Sequence, residues 1–306
     1  MRIAVVGAGG VGGYFGGRLA ASGADVTFLA RGAHLEAIRT QGLRIQSFSG
    51  DLHLPKVNAT DDPAAIGPVD IVLFTVKLYD AESATALLPP LIGPDTAVIP
   101  VQNGVDAASL VSKAVGPAHT AGGTVYIAAV IAEPGVICHT ALGRLVFGEL
   151  DGSRSARLQK FLDVCTPAGF DATLSNSIQV EIWRKFVLLS VFSGMTAVTR
   201  CPIGPIASDP ELSEMLRSAV GETMAVAHAA GVAVPDAVLD DVDRAYRTLP
   251  PHMKSSMLED LERGKRLELP WLSGAVVRIG RETGVPTPIH QFIATVLKPH
   301  VDGSLA

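Results

Sequence analysis

The 306-residue sequence has little of what marks membrane, secreted or nucleic-acid-binding proteins. Charged residues make up only 18%, the net charge is −5, and Lys and Arg form no cluster, so a phosphodiester partner is not expected. No apolar run approaches the ~18–20 residues of a membrane helix. The first residues, MRIAVVGAGG, start a strand at once and lack the basic region and cleavage site of a signal peptide.

Cysteine is also scarce. Cys138, Cys165 and Cys201 are widely spaced and odd in number, which predicts reduced thiols in a cytoplasmic protein, not a disulfide framework. The eight histidines show neither HExxH nor paired Cys/His spacing, so we expect no bound metal.

Hydrophobic residues, in contrast, make up 48% of the chain, which is typical of a globular protein, and 306 residues are enough for two domains and a sizeable core. The first half alternates apolar strands with helical segments, and the strands read RIAVVG, DVTFLA, DIVLFTVK and AVIPVQNG. Strands that are apolar throughout, joined by helical crossovers, are typical of a parallel sheet covered on both faces. We therefore predict an α/β, doubly wound, mainly parallel sheet.

A G-x-G-x-x-G motif follows the first strand and opens an amphipathic helix. It consists of Gly7, Ala8, Gly9, Gly10, Val11 and Gly12. At that place backbone N–H groups and the helix dipole can face a pyrophosphate, which predicts dinucleotide binding. The alternative is a glycine-rich turn without a ligand. Gly12 and Gly16 share a face on which the helix can press onto the sheet.

The end of the second strand favours one dinucleotide over the other. An NAD site usually has Asp or Glu there, but this chain has Leu29, Ala30 and Arg31. The guanidinium of Arg31 suits a 2′-phosphate, so we predict NADP(H). A solvated loop arginine is the alternative.

Two further polar residues follow strands, Lys77 after DIVLFTV and Asn103 after AVIPVQ. The carboxyl ends of strands in a doubly wound sheet line the ligand site, so both are candidate binding residues. Each could instead satisfy only local backbone groups.

The second half is helical after a pair of strands (TVYIAAVIA and GVICHTALGRLVFGEL), a helix and a short strand. We predict two domains, residues 1–175 and residues 176–306, the second all-helical. Pro210, Pro235 and Pro270 are expected at helix starts, and the tail after Pro299 is expected to fray.

Lys185 stands at the head of the apolar stretch FVLLSVF on a predicted helix. Glu181, four residues earlier, allows an ordinary surface ion pair. Alternatively the ammonium is partly desolvated, which would lower its pKa toward a range useful for proton transfer. Periodicity alone leaves both interpretations open.

Two other polar residues have structural and functional interpretations. Ser256 begins a Ser-x-x-Glu pattern and could close a capping box, or it could contact a ligand. Glu268 precedes Pro270 and could complement a helix dipole, or it could reach the cofactor.

Taken together, these motifs resemble the ketopantoate reductase (2-dehydropantoate 2-reductase) family over nearly the whole chain. The matching pieces, in order, are the early GxGxxG, V-K after the third apolar strand, Q-N-G, W-R-K, S-S-M-L-x-D and L-E-L. The resemblance implies a Rossmann-type domain followed by a helical domain, and reduction of ketopantoate with NADPH on the route to pantothenate.

The resemblance also implies roles for residues. Gly7 to Gly12 and Arg31 would hold NADPH with Lys77 beside it, and Glu268 would contact the cofactor. Asn103 would touch both cofactor and substrate. Lys185 would protonate the nascent alkoxide, and Ser256 would contact the substrate.

The sequence departs from the family pattern where asparagines usually face the substrate. Those positions are Leu189, Ser193 and Ile203 here. A site that hydrogen-bonds a hydroxyl discriminates strongly, whereas one lined with leucine does not. A reductase of a different, more apolar 2-oxo acid is therefore the alternative, and a non-catalytic NADP(H)-binding sensor is the third hypothesis.

The expected partner is a small 2-oxo acid, with no nucleic acid and no membrane. The expected location is the cytoplasm. A homodimer is considered, and the sequence leaves the oligomeric state open.

Overall fold

The computed structural model describes residues 1–303. The chain divides into two compact units. Unit 1 contains Met1–Gln102 and Asp106–Ile178, and unit 2 contains Asn103–Val105 and the chain from Gln179 onward. The domain bounds 1–175 and 176–306 stay a prediction.

Ten strands occur in the described chain, all in unit 1. In chain order they are β1 (Arg2–Val6), β2 (Asp25–Leu29), β3 (Leu43–Ser47), β4 (Leu52–Leu54), β5 (Asn58–Thr60), β6 (Val69–Phe74), β7 (Ile92–Pro100), β8 (Ala121–Glu133), β9 (Val136–Glu149) and β10 (Asp171–Leu174).

The first sheet has the order β5-β2-β1-β6-β7, and all its neighbours are parallel. The strand order reverses beside β1, so the carboxyl ends of β1, β2, β6 and β7 share one edge. The core side chains of these strands are fully buried, which agrees with their uniformly apolar sequences. The predicted doubly wound, mainly parallel sheet is confirmed.

A second sheet was not expected. Strand β9 pairs antiparallel with β8 along nearly its whole length, and on its other side it pairs parallel with β3 and then with β10. Strand β4 extends this sheet beyond β3. The two long strands were predicted correctly, but they build this separate sheet and do not extend the first.

Unit 1 also contains five α-helices. They are α1 (Gly10–Ala21), α2 (Gly32–Gln41), α3 (Leu78–Ala84), α4 (Ala107–Val115) and α5 (Ala156–Cys165). Helix α1 presses onto the sheet through glycine, as predicted. A Cβ at Gly16 would lie 2.6 Å from the ring of Phe28 and 2.8 Å from Val5, and one at Gly12 would strike the carbonyl oxygen of Gly7. Gly23 follows the helix with φ +93°, a conformation that is common just after a helix C-terminus.

Unit 2 is helical in its described part. Its helices are α6 (Ile178–Thr199), α7 (Ile203–Ser208), α8 (Pro210–Ala229), α9 (Val238–Thr248), α10 (Ser256–Glu262), α11 (Ser273–Thr283) and α12 (Pro288–Leu297). Only Ile178, the first residue of α6, belongs to unit 1. The core of unit 2 includes Phe186, Val187 and Val191 of α6, all almost fully buried. The apolar stretch after Lys185 therefore packs inside this unit.

Several predicted boundaries in unit 2 are wrong. Pro235 does not start a helix, because α9 begins at Val238 after a turn. Pro270 lies in a 3-10 turn (Leu269–Trp271), and α11 begins only at Ser273. Helices α7 and α12 were not predicted.

The tail is held at least to Val301, whose carbonyl accepts from the Leu267 N–H, and the prediction for residues 304–306 lies outside the described residues.

Candidate active site

In unit 1, three predicted binding elements lie after strands that end at the same edge of the first sheet. The glycine motif follows β1, Arg31 follows β2 by two residues, and Lys77 follows β6 by three. Both cations are N-cap residues, Arg31 of α2 and Lys77 of α3, and both side chains are exposed. The fold therefore brings these predicted cofactor residues to one edge.

The backbone of the glycine motif is fitted to a close turn. Gly7 has φ +99°, which side-chain-bearing residues rarely adopt, and a Cβ there would lie 2.9 Å from the backbone nitrogen of Val76. Thr75, the residue directly after β6, donates from Oγ1 to the carbonyl of Gly7 at 2.6 Å. These contacts hold the turn against the end of β6.

The start of α1 can accept an anion. Its N-cap residue is Gly9, so no side chain caps the helix, and the first turn carries no acidic residue. A Cβ at Gly9 would meet nothing within 4 Å, so space is open directly above the loop. Uncapped N–H groups at a helix N-terminus with open space in front of them fit a dinucleotide pyrophosphate.

Arg31 is available to a ligand. Its side chain is 88% exposed and pairs with Asp80 on α3, at 3.5 Å between Nη2 and Oδ2. A pair this exposed contributes little to stability, so a phosphate could displace it at small cost. The geometry permits the predicted 2′-phosphate contact.

Asn103 follows a residue that fixes the chain at the sheet edge. The side-chain amide of Gln102 donates to the carbonyls of Phe74 (2.9 Å) and Val76 (3.1 Å), which joins the ends of β6 and β7. Sequence reasoning missed Gln102, although a polar residue directly after an apolar strand was a usable signal.

In unit 2, three predicted residues form one hydrogen-bonded chain. The Lys185 ammonium donates to Oδ1 of Asn103 at 2.9 Å, and Nδ2 of Asn103 donates to Oε2 of Glu268 at 3.2 Å. Because the lysine uses the amide oxygen, the amide nitrogen must face the carboxylate. Residues separated by 82 and 165 positions thus meet in one polar group.

The electrostatics of Lys185 favour a proton donor. Burial lowers its pKa to about 8, and the negative charge of Glu268 acts in the opposite direction. Lys185 is only partly exposed, and Glu268 is almost fully buried at 6% exposure. An ammonium with a pKa near neutrality can both stabilise a developing oxyanion and release its proton to it.

The three positions that depart from the family pattern occupy different environments. Leu189 lies one helical turn after Lys185 and is partly buried. Ser193, a further turn on, is fully buried, and its Oγ has no hydrogen-bond partner in the described structure. Ile203 belongs to the core of unit 2.

The capping-box interpretation of Ser256 is wrong. Ser255 is the N-cap residue of α10, and its Oγ accepts from the Leu258 N–H at 3.0 Å. The Ser255 hydroxyl also contacts that of Thr196 of α6 at 2.7 Å, and Ser255 is buried. Ser256 is the first residue of α10. Its side chain is exposed and does not cap the helix.

Two other properties concern the described residues as a whole. Among residues 1–303, no group of three or more His, Cys, Asp or Glu side chains is arranged to hold a metal ion. No helix in that part of the chain is long and apolar enough to cross a membrane.

Comparison with known proteins gives matches along both units. The family model described as ketopantoate reductase PanE/ApbA matches residues 3–152, and the model of that family's C-terminal part matches residues 177–301. The 2-dehydropantoate 2-reductase of Mesorhizobium japonicum is 32% identical, with 97% of each chain covered. The uncharacterized oxidoreductase YkpB of Bacillus subtilis is 30% identical, with 96% of each chain covered.

A solved structure agrees with these matches. The PanE/ApbA family ketopantoate reductase from Ralstonia eutropha JMP134 superimposes with a TM-score of 0.90 at 33% identity, covering 98% of each chain. The fold and the relatives define the protein first as an oxidoreductase with a Rossmann-type N-terminal unit. More narrowly, the chain belongs to the ketopantoate reductase PanE/ApbA family.

Proposed function

We propose that the protein is an NADPH-dependent 2-oxo acid reductase that converts ketopantoate (2-dehydropantoate) to pantoate. The observation that carries this proposal is the chain from Lys185 through Asn103 to Glu268, in which burial brings the lysine pKa to about 8. Family membership supports the reaction class.

Each residue of this chain has a task in the reduction. When bound, the nicotinamide cofactor would supply the hydride that reduces the keto carbon of the substrate. Lys185 places its ammonium at the carbonyl oxygen, stabilises the growing negative charge and donates the proton. Asn103 accepts a hydrogen bond from the ammonium and so orients it, while Glu268 holds the Asn103 amide. Ser256, with its exposed hydroxyl, is the proposed contact for the substrate carboxylate.

The cofactor preference is part of the proposal. The loop from Gly7 to Gly12 would receive the pyrophosphate, and Arg31 would receive the 2′-phosphate that distinguishes NADPH from NADH. Lys77 would lie beside the same cofactor. A cytoplasmic location and a small-molecule 2-oxo acid as the partner belong to this proposal as well.

A second candidate function has its own observation. Leu189, on the same row of α6 as Lys185, offers an apolar surface where the family usually offers an amide. Apolar pockets accept apolar groups and cannot reward a substrate hydroxyl. The alternative is therefore a reductase of a 2-oxo acid with a bulkier apolar side chain.

A substrate panel separates the two candidates. The protein is assayed with ketopantoate and with apolar 2-oxo acids of increasing size, each with NADPH and with NADH. We expect ketopantoate with NADPH to give the highest kcat/KM. A higher kcat/KM for an apolar 2-oxo acid would support the second candidate.

The proton donor is tested in the same assay. Lys185→Ala should lower kcat by about 100-fold or more, because general acid catalysis contributes roughly that factor. Lys298→Ala, an exposed lysine of the same unit, serves as the control and should leave kcat unchanged. Unchanged turnover in Lys185→Ala would make the lysine structural. Cofactor binding without turnover in the unaltered protein would favour a sensor.

A further inference from the structure

His34 of α2 contacts the backbone of the glycine loop. Its ring nitrogen Nε2 lies 2.7 Å from the carbonyl oxygen of Ala8, the second residue of the G-x-G-x-x-G motif. On the other side of the ring, the N–H of Gly135 donates to Nδ1 at 3.1 Å. Gly135 lies in the two-residue turn between β8 and β9. One half-buried side chain therefore connects the loop to the second sheet.

These partners fix the protonation state of the ring. A backbone N–H can only donate, so Nδ1 of His34 must be bare, and a carbonyl can only accept, so Nε2 must carry the hydrogen. Burial lowers the pKa of His34, with the Ala8 carbonyl acting in the opposite direction, which agrees with a neutral ring. Both nitrogens of the imidazole are thus used for structure.

The Gly135 end of this connection is itself anchored. The carbonyl of Gly135 accepts from the Arg44 N–H of β3 at 2.9 Å, and a Cβ on Gly135 would lie 3.1 Å from Ala37 of α2. The β8 backbone also lies directly against Gly10, where an added Cβ would be 2.8 Å from the nitrogen of Val130. The hairpin of β8 and β9 therefore supports the glycine loop at two points, one of them through His34.

The contact with Ala8 determines where the next N–H points. In a trans peptide the carbonyl of Ala8 and the N–H of Gly9 point in opposite directions from one rigid plane. A carbonyl held toward His34 therefore turns the Gly9 N–H to the other side of the loop. Space is open around Gly9, and the helix it precedes has no side-chain cap.

We infer that His34 is a positioning residue of the cofactor site: it orients the Ala8–Gly9 peptide so that the Gly9 N–H donates to the pyrophosphate of the dinucleotide. This role rests on the proposed cofactor binding. His34 itself touches neither cofactor nor substrate and acts through the loop.

Two substitutions divide the functions of the ring. His34→Gln places an amide near the position of Nε2 and can still donate to the Ala8 carbonyl. His34→Asn keeps an acceptor near Nδ1 for Gly135 but does not reach Ala8. The exposed His53 on β4 of the same unit supplies the control, His53→Asn.

The measurement is direct titration with NADPH, with turnover as a second readout. For His34→Asn we expect the Kd for NADPH to rise about tenfold, the effect of losing one well-oriented hydrogen bond. KM for NADPH should rise with it, while kcat at saturating NADPH stays within about twofold. His34→Gln and His53→Asn should bind within about threefold of the unaltered protein.

The outcomes separate this inference from the proposed function. If the unaltered protein binds NADPH and His34→Asn binds it equally well, the inference is overturned and the proposed function stands. If the unaltered protein binds no nicotinamide dinucleotide, both fail.

A check without any substitution covers the case in which His34→Asn does not fold. In protein labelled with ¹⁵N at histidine and glycine, His34 should show a protonated Nε2 and a bare Nδ1, and the Gly9 amide should shift when NADPH is added. The opposite tautomer, or a Gly9 amide that does not respond to NADPH, would overturn the inference.

Discussion

At the scale of single residues, the ionisation of Lys185 is set by two opposing influences. Burial disfavours the ammonium and lowers its pKa to about 8, while the carboxylate of Glu268 favours it. Asn103 stands between the two groups and hydrogen-bonds to both. Lys185 would thus donate the proton, while the negative charge of Glu268 helps to keep Lys185 protonated.

The pH dependence of reduction should follow this balance. The ammonium is the proposed acid, so kcat/KM for the 2-oxo acid should fall as the pH rises through about 8, because kcat/KM reports ionisations of the free enzyme. Glu268→Gln keeps an acceptor for Asn103 but removes the charge, so the fall should begin at a lower pH. The check is a pH–rate profile from pH 6 to pH 10, with the exposed Glu262→Gln as control. Coincident profiles for the unaltered protein and Glu268→Gln would contradict the role of Glu268.

Cofactor selection is a second property of one residue. Arg31→Ala should raise KM for NADPH by roughly tenfold or more, since it removes a charge-assisted contact, and should change KM for NADH little. Arg39→Ala is the matched control, because Arg39 is also exposed on α2 and pairs with Asp61. Equal changes in KM for the two cofactors would mean that Arg31 does not contact a 2′-phosphate.

At the scale of elements, the glycines of α1 have two distinct tasks. Gly12 lies against the sheet, where an added Cβ would strike the Gly7 carbonyl and lie 2.8 Å from Val5. Gly9 lies at the open end of the helix, with ordinary φ of −69° and free space around it. One glycine is required by packing, and the other leaves room for a ligand.

Alanine substitutions should separate these tasks. Gly12→Ala should lower the free energy of unfolding by about 1–3 kcal/mol through overpacking. Gly9→Ala should cost at most about 1 kcal/mol but weaken NADPH binding, since its methyl group would enter the space proposed for the pyrophosphate. Gly221→Ala, in the middle of α8 with nothing near its Cβ, should stabilise by about 0.5–1 kcal/mol.

Denaturant unfolding and NADPH titration of the three variants provide the check. A Gly9→Ala protein that binds NADPH normally would argue against the loop as the pyrophosphate site.

The sequence predicted the elements whose signals are local. Local periodicity predicts the first strand, the glycine motif and the helix after it. It also predicts the apolar strands of the first sheet and the long α6. The second sheet did not, because β3 pairs with β9 across about ninety residues and no local pattern records that pairing. Helix α12 was missed although it begins at Pro288, and proline is favoured at helix starts.

The candidate site shows the same division. Lys185, Asn103 and Glu268 could be proposed one by one, from strand ends, apolar flanks and family resemblance. That they form one hydrogen-bonded chain depends on the tertiary fold of unit 2. The capping residue Ser255 likewise contacts Thr196 of a distant helix, which the Ser-x-x-Glu pattern cannot reveal.

At the scale of the whole molecule, stability should depend on pH through a buried histidine. His290 of α12 is fully buried, and its Nε2 lies 2.8 Å from Thr223 Oγ1 and 3.1 Å from the Ala219 carbonyl of α8. The Thr223 hydroxyl itself donates to the Ala219 carbonyl, so Nε2 carries the hydrogen. Burial lowers the pKa of His290 from 6.5 to about 4. The folded protein therefore holds this ring neutral.

The sign of the effect follows from this lowered pKa. Between pH 6.5 and pH 4 the unfolded chain binds a proton at His290 that the folded chain does not. The contribution of the neutral ring to the free energy of unfolding is therefore complete above pH 6.5 and is lost as the pH falls. At pH 5 the loss should be roughly 2 kcal/mol. Glu222, whose carboxylate accepts from the N–H groups of Ile289 and His290, acts in the opposite sense because burial raises its pKa.

Comparing the unaltered protein with His290→Gln cancels the contribution of Glu222, because both proteins contain that residue. His290→Gln can still donate to Thr223 but does not titrate, so its unfolding free energy should fall less between pH 7.5 and pH 5 than that of the unaltered protein. Both tryptophans, Trp183 and Trp271, lie in unit 2, so tryptophan fluorescence during urea unfolding reports on the unit that contains His290. The exposed His252→Gln is the control and should keep the full pH dependence. If His290→Gln loses as much stability at pH 5 as the unaltered protein, the acid sensitivity of unit 2 must come from groups other than this histidine.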